Sequence, residues 1–278
     1  MPDPAKYATS GALCQALGER LKTISRNDGI DLQRLRRQVA FDRFLARLFA
    51  DQTCGWRLKG GYAMELRFLT ARSTRDLDFT LRSGGKEAAL ENLRNAGALD
   101  LGDFFSFRVG GATMSLDAAP DGGARYPVEA ILDGRVFVKF HVDVGIGDVT
   151  IDPPETLAAR DWLAFAGIAP PLVAMITREQ QFAEKIHAYT LPRSTPNSRV
   201  RDLVDLYLLV VSGSMDANRS REALRRTFER RATHEVPKAL TPPPLDWDRP
   251  FLSLAEECRI LAGAQGAFEV VHRFWLNL

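Results

Sequence analysis

Lys59-Gly60-Gly61, followed after residues 62–75 by Asp76-Leu77-Asp78-Phe79, is the stretch whose reading decides this chain. Leu77 to Leu81 is apolar and aromatic enough to read as a strand. Alternate side chains of a strand share a face, so Asp76 and Asp78 project together while Leu77 and Phe79 face the other way. Two carboxylates on one face repel each other unless a cation sits between them, and a divalent metal is the usual solution. Oxygen-only ligands favour Mg²⁺, with Mn²⁺ as the alternative, over zinc. Upstream, Gly60-Gly61 turns a short strand, Trp56 to Lys59, into a helical stretch, Tyr62 to Leu69. Glycines let backbone N–H groups approach an anion closely, and a helix N-terminus favours negative charge. Lys59 adds a positive charge, and Arg72, Ser73, Thr74 and Arg75 lead into the carboxylates with further phosphate donors. A lone Asp-x-Asp is most often a solvated strand face and a lone Gly-Gly most often a turn. Their order within strand, turn, helix and strand points instead to divalent ions and a triphosphate. That reading needs the two aspartates side by side and not sealed off by neighbouring arginines.

Outward from this stretch, the composition is that of an ordinary globular chain. Of 278 residues, 45% are hydrophobic and 26% charged, and 37 Lys plus Arg against 35 Asp plus Glu give a formal charge of +2. That balance excludes bulk basic binding of the histone kind and leaves room for local patches. No apolar run reaches the ~18–20 residues that span a bilayer. Residues 1–10 lack an apolar signal core, so neither a membrane nor a secreted location is expected. Cys14, Cys54 and Cys258 are odd in number and far apart, which predicts reduced thiols and a cytoplasmic protein without a disulfide framework.

The N-terminal fifty residues read as helices, with Asp31 capping a stretch in which Leu32, Leu35, Val39, Leu45 and Leu48 recur near the helical period. Lys86 to Asn95 reads as a further helix. Phe104–Val109, Met114–Asp117, Val128–Leu132 and Val136–Val144 are β-rich and divided by turn signals, with Asp133-Gly134 marking a hairpin. After Pro153-Pro154 the pattern becomes helical: Glu179–Thr190, Val200–Val211, Arg219–Arg231 and Leu252 to the end. Leu191 to Asn197 reads as a loop. The layout predicts an α+β fold with a mixed sheet, N-terminal helices and a C-terminal helical portion. Residues 1–150 are expected to hold the helices and the α/β core, and residues 151–278 a helical domain that completes the active site.

These residues resemble the AbiEii-type nucleotidyltransferase toxins, a group that includes the MenT-type toxins and shares the core of the DNA polymerase β-like superfamily. The resemblance rests on Lys59-Gly60-Gly61, Arg72, Thr74 and the Asp76/Asp78 pair. It extends to Glu184-Lys185-Ile186-His187-Ala188, similar to the group's lysine segment, and to Arg199-Val200-Arg201-Asp202-Leu203-Val204-Asp205-Leu206, similar to its closing segment. Arg201 stands where that segment usually has lysine. On a helical wheel Lys185 lies at the border of the stripe made by Phe182, Ile186 and Tyr189, while Glu184 points to solvent; a snorkelling surface lysine is the competing reading. Asp202 flanks the next stripe and Asp205 points away from it. Asp202 reads equally as a helix N-terminal charge, and the resemblance turns both Lys185 and Asp202 into catalytic candidates.

The resemblance also implies a third carboxylate on a neighbouring strand. Lys139, His141 and Asp143 share one face of theirs, and Asp143 is the candidate, with an exposed strand residue as the alternative. His141 is given no role. The implied activity is Mg²⁺-dependent nucleotidyl transfer. Asp76, Asp78 and Asp143 would hold metal, with Lys59, Gly60, Gly61, Arg72, Ser73 and Thr74 around the nucleotide. The implied acceptor is the 3′ end of tRNA and the implied donor a pyrimidine NTP, CTP, so that aminoacylation and translation stop. The implied partner is a cognate antitoxin. Transfer to a protein hydroxyl and a decayed nucleotide-binding module are the rival readings. Arg34, Arg36, Arg37, Arg43 and Arg47, and the arginines of Arg219–Arg231, suit a phosphate backbone or are simply solvated helix faces. A phosphate on Ser73 or Thr74 would add about −1.5 to −2 charges beside Asp76 and compete with a triphosphate.

Overall fold

The computed structural model describes residues 7–51, 55–117, 119–194 and 197–278. Cys54 and part of the 191–197 loop therefore lie outside the described residues. The fold is α+β: a mixed sheet with helices at both ends of the chain. The chain divides into two compact units. Residues 1–62, 73–147 and 156–175 form the first, and residues 63–72, 148–155 and 176–278 the second. A single cut at residue 150 would separate 156–175 from the sheet and leave 63–72 with it.

In the first unit, α1 (Ser10–Asp28) starts where the Thr9 hydroxyl accepts from the Ala12 amide, and it buries Leu13, Leu17 and Leu21. α2 (Leu32–Leu48) starts at Asp31, whose carboxylate accepts from the Arg34 amide at 2.8 Å. β1 (Arg57–Lys59), the start of α3 (Gly60–Arg67), β2 (Asp76–Leu81) and α4 (Lys86–Ala98) follow the expected order. Then come β3 (Phe105–Val109), β4 (Met114–Ser115), β5 (Gly123–Leu132), β6 (Arg135–Ile146), β7 (Glu155–Ala158) and β8 (Leu172–Met175). The sheet runs β3-β5-β6-β2-β1-β8-β7, with β4 also on β5. β2 pairs parallel with β6, and β1 pairs parallel with β8 and antiparallel with β2.

The pleat sorts these strands into an apolar and a charged face. Leu58, Leu77, Phe79, Val142 and Val144 are fully or nearly fully buried. Phe140 continues their face and packs edge-on against Phe41 and Phe44 of α2, with centroids 5.0 and 5.9 Å apart.

β5 corrects the sequence reading. It begins at Gly123, not at Val128, and carries Pro127 within it. A proline is tolerated where no ladder bond is needed from its nitrogen. On the side where the Pro127 carbonyl accepts from the Gly110 amide, β3 ends opposite Val128 and β4 begins opposite Arg125, so the missing N–H falls in a gap. β7 and β8 also lie in the region read as helical. They are short strands, β7 at the edge of the sheet and β8 between it and β1, too brief to show a period.

Two arginines read as candidate phosphate contacts are structural. Arg43 Nε lies 2.7 Å from Asp103 Oδ2, and Arg47 binds both oxygens of Asp103 at 2.7 and 2.9 Å. All three are buried. Burial works to raise the Asp103 pKa, but the two guanidinium groups on its carboxylate together outweigh it and hold the pKa below the ordinary value.

The second unit packs α5 (Arg178–Thr190), α6 (Val200–Val211), α7 (Ala217–Arg231), α8 (Asp248–Glu257) and α9 (Ala264–Leu276) around Phe182, Ile186, Leu203, Leu206, Leu209, Phe228, Phe251 and Phe268. The expected last helix is broken in two. Arg259 adopts φ 55°, a left-handed conformation that ends α8, and Gly263 precedes α9. Cys14 and Cys258 are free thiols. Among the described residues, no helix is long and apolar enough to cross a membrane.

Asp103→Ala would strand two buried guanidinium groups. We expect urea denaturation to show a loss of roughly 3–5 kcal/mol; a loss under ~1 kcal/mol, the size of a surface pair, would contradict the assignment.

Candidate active site

In the first unit, strand register assembles one charged row across four neighbouring strands. Lys59 of β1 lies opposite Asp78 of β2, Asp78 opposite Asp143 of β6, and Asp143 opposite Arg125 of β5. In the next polar row, Asp76 lies opposite His141. Asp76, Asp78 and Asp143 thus share one face of adjacent strands. The sheet brings these three residues together.

The arginine in this row is not among the candidates named from sequence, yet it binds two of its carboxylates. Arg125 Nε donates to Asp143 Oδ1 and Nη2 to Asp143 Oδ2, both at 2.7 Å, and Nη2 lies 3.6 Å from Asp76 Oδ2. His141 Nδ1 lies 3.4 Å from Asp76 Oδ1. Hydrogen bonding to Asp143 pushes the Arg125 pKa above its ordinary value; burial opposes this, and the charges of Asp143, Asp76 and Asp78 reinforce it. The row is not sealed, because the side chains of Asp76 and Arg125 keep 31% and 28% exposure.

The Gly60-Gly61 turn is packed directly onto this row. Gly60 has φ 66°, and a Cβ there would fall 2.0 Å from Asp78 Oδ2. A Cβ on Gly61 would fall 2.6 Å from Thr74 Oγ1. Asp78 and Thr74 therefore occupy the space that any other residue at these positions would need, and the first turn of α3 starts beside a carboxylate. Ser73 sits nearby, 3.4 Å from Arg37 Nη2.

The donor set is carboxylate oxygen, which suits a hard divalent cation. The cluster already draws a cation in the form of Arg125. Among the described residues, no three His, Cys, Asp or Glu side chains stand ready as a metal cage. Both oxygens of Asp143 are engaged by Arg125 instead.

The second unit holds a separate ion network. Lys185 Nζ lies 2.7 Å from Asp202 Oδ1 and 2.7 Å from Asp205 Oδ2. Arg72 binds Asp205 through Nε at 3.0 Å and Nη2 at 2.8 Å. Burial disfavours the charge on Lys185, but Asp202 and Asp205 outweigh it and raise its pKa. Burial likewise works against the Asp205 carboxylate, and Lys185 and Arg72 prevail, holding its pKa below the ordinary 3.8.

Three sequence expectations are corrected here. Asp205 does not point away: it is fully buried at the centre of the network. Arg72 is not an open phosphate donor, because it is buried against Asp205. Glu184 is only 14% exposed, with Arg231 at 3.7 Å. The resemblance singles out Lys185 and Asp202, but the tie from Asp205 to Arg72 joins segments too distant in sequence for any periodicity to reveal.

The sequence profile of the nucleotidyl transferase AbiEii toxin family, type IV toxin–antitoxin system, matches residues 43–260. The chain belongs to this family. Its fold is also similar to that of MenT4, a nucleotidyltransferase toxin from Mycobacterium tuberculosis H37Rv, with 18% identity, TM-score 0.55, and coverage of 91% of this chain and 93% of that one. JHP933 from Helicobacter pylori aligns at 14% identity and TM-score 0.49, covering 89% of this chain and 96% of that one. No curated protein sequence matches the chain. The AbiEii match runs across the charged row and the Lys185 network alike.

Acid should weaken the Asp205 network. Because the folded pKa of Asp205 lies below the unfolded value of 3.8, its stabilisation is complete above that value and is lost as pH falls through the lower folded value. Asp205→Asn is expected to lower stability at neutral pH by roughly 3 kcal/mol and to flatten the acid limb of a urea-denaturation profile. An acid limb as steep as that of the parent protein would contradict this.

Proposed function

We propose that this AbiEii toxin transfers a nucleotide from an NTP, with CTP as the preferred donor, to the 3′ acceptor end of tRNA in a Mg²⁺-dependent reaction. The observation that carries the reading is the in-register row of Lys59, Asp78 and Asp143, with Asp76 beside it and the Gly60-Gly61 turn packed on Asp78. Asp76 and Asp78 would hold the divalent ion, with Asp143 as the third ligand. A divalent ion bound there neutralises triphosphate oxygens and acidifies a nearby hydroxyl.

The chain's own groups supply the rest. Lys59 and the backbone amides at the start of α3 place positive charge on the triphosphate. Ser73 and Thr74 border the same turn and offer hydroxyls to it. The terminal ribose hydroxyl of the acceptor attacks the α-phosphorus. The bond from the α-phosphorus to the bridging oxygen breaks, pyrophosphate leaves and the hydroxyl proton passes to solvent; Asp143, as the third ligand, would lower the proton affinity of that hydroxyl. Lys185, held by Asp202 at 2.7 Å, is a further catalytic candidate that the family resemblance implies. Positioning and preorganised charge are the main contributions. Arg72 is left out of the phosphate set because Asp205 holds it.

The tRNA acceptor and CTP rest on the family resemblance. The exposed arginines Arg219, Arg221 and Arg230 of α7 are consistent with a polyanionic partner. Arg225, which pairs with Glu222 and Glu229, and Arg226, 3.9 Å from Glu222, are less so. The type IV toxin assignment carries with it an antitoxin partner.

Incubation with a tRNA pool and each NTP labelled at the α-phosphate is the test. We expect label on tRNA 3′ ends, strongest with CTP, and a loss of ~10³-fold or more in Asp76→Asn and Asp78→Asn, each still folded by circular dichroism. Label on protein would redirect the reading to a protein hydroxyl. Normal transfer by either variant would refute the carboxylate assignment.

A further inference from the structure

We propose that Arg125 is an internal counter-cation of the carboxylate row: its guanidinium holds the place between Asp76 and Asp143 that a divalent ion requires, so ion binding demands that the arginine withdraw. This rests on the reading of Asp76, Asp78 and Asp143 as a divalent site.

The geometry argues for occupancy rather than mere proximity. Arg125 binds Asp143 through two parallel hydrogen bonds of 2.7 Å and reaches Asp76 at 3.6 Å with the same Nη2. A paired fork of this kind is the strong form of the guanidinium–carboxylate contact. It engages both oxygens of the one carboxylate that would complete a three-aspartate site. A guanidinium and a divalent ion cannot share that position, because like charges a few ångströms apart repel strongly at a protein surface.

The placement is built into the hairpin. β5 and β6 close with Leu132 opposite Arg135 and Ile131 opposite Val136, but Ala130 lies opposite Val138. Phe137 is thus an extra residue in β6, a bulge that shifts the remaining ladder by one position. Without it, the register that closes the hairpin would set Arg125 opposite Val142, on the apolar side of β6. With it, Arg125 meets Asp143.

Arg125 is also able to leave. Its side chain is 28% exposed, whereas Arg43 and Arg47 are sealed around Asp103. β5 at Arg125 is flanked on its other side only by the two-residue strand β4. The consequence is a site in which Asp143 and Asp76 are held by a cation without metal and whose ion affinity is set by competition. A displaced Arg125 becomes a donor for phosphate oxygens.

The test uses Mn²⁺ alone, followed by the electron paramagnetic resonance signal of the free ion, on the full chain. Arg125→Met is expected to bind Mn²⁺ about tenfold more tightly or better than the parent protein, since a fixed positive charge has been removed. Its melting temperature should fall without metal and rise more on adding Mn²⁺. Should Arg125→Met fail to fold, Arg125→Lys carries the same prediction with a smaller gain, because lysine keeps the charge but not the fork. Equal or weaker Mn²⁺ binding in the folded variant, with binding by the parent protein present, overturns the counter-cation and leaves the metal reading standing. No Mn²⁺ binding by any of these proteins, or binding undiminished by Asp76→Asn, overturns the metal reading and the counter-cation with it.

Discussion

The parallel pairing of β2 with β6, which sets Asp78 opposite Asp143, is the constraint on which the rest of the first unit depends. A slip of one residue in either strand would turn its carboxylates onto the apolar face. The register is held from behind. Leu58, Phe79, Val144 and Ala124 form one buried row, and Leu77, Val142 and Tyr126 another. Burying each large side chain of these rows is worth about 1.5–3 kcal/mol, so exchanging either face for the other is prohibitive. The apolar rows thereby determine where the charges in front of them stand. The Gly60-Gly61 turn closes the arrangement, since only residues without Cβ fit against Asp78 and Thr74.

Charge is handled differently in three places. Asp103 is sealed with Arg43 and Arg47 and has no route to solvent, which suits a purely structural tie. Asp205 is equally buried, and it gathers Arg72 and Lys185 so that Lys185 meets Asp202 in a fixed orientation. The Asp76–Asp143–Arg125 group is partly open, with a hydrogen-bonded cation that solvent reaches. Burial separates the first two, which resist exchange of partners, from the third, which permits it. That difference marks the sheet row as the place where ions and phosphate enter the proposal.

Much of this was legible from local pattern. The strand period puts Asp76 and Asp78 on one face, and β2 presents them so. Asp31 caps α2, and Asp133-Gly134 turns the hairpin with both residues at positive φ. What escaped has physical causes. Pro127 reads as a strand breaker, and its tolerance depends on a gap between β3 and β4 that only the sheet reveals; with it went Arg125. The bulge at Phe137 changes which residues face each other without changing composition. Helical wheels assume that a charge off the stripe is solvated, and Asp205 and Glu184 contradict that because buried partners meet them. Arg43 and Arg47 look in sequence like the half-buried Arg34, Arg36 and Arg37, and differ in facing Asp103.

The central claim is that the row headed by Asp76 and Asp78 holds the divalent ion that accompanies a triphosphate. Crystals soaked with Mn²⁺ and a non-hydrolysable CTP analogue, with data collected at the manganese edge, test it most directly. The account predicts an anomalous peak at the Asp76 and Asp78 carboxylates, with the triphosphate along the Gly60-Gly61 turn. A triphosphate bound elsewhere, or an ion peak away from both aspartates, would contradict it.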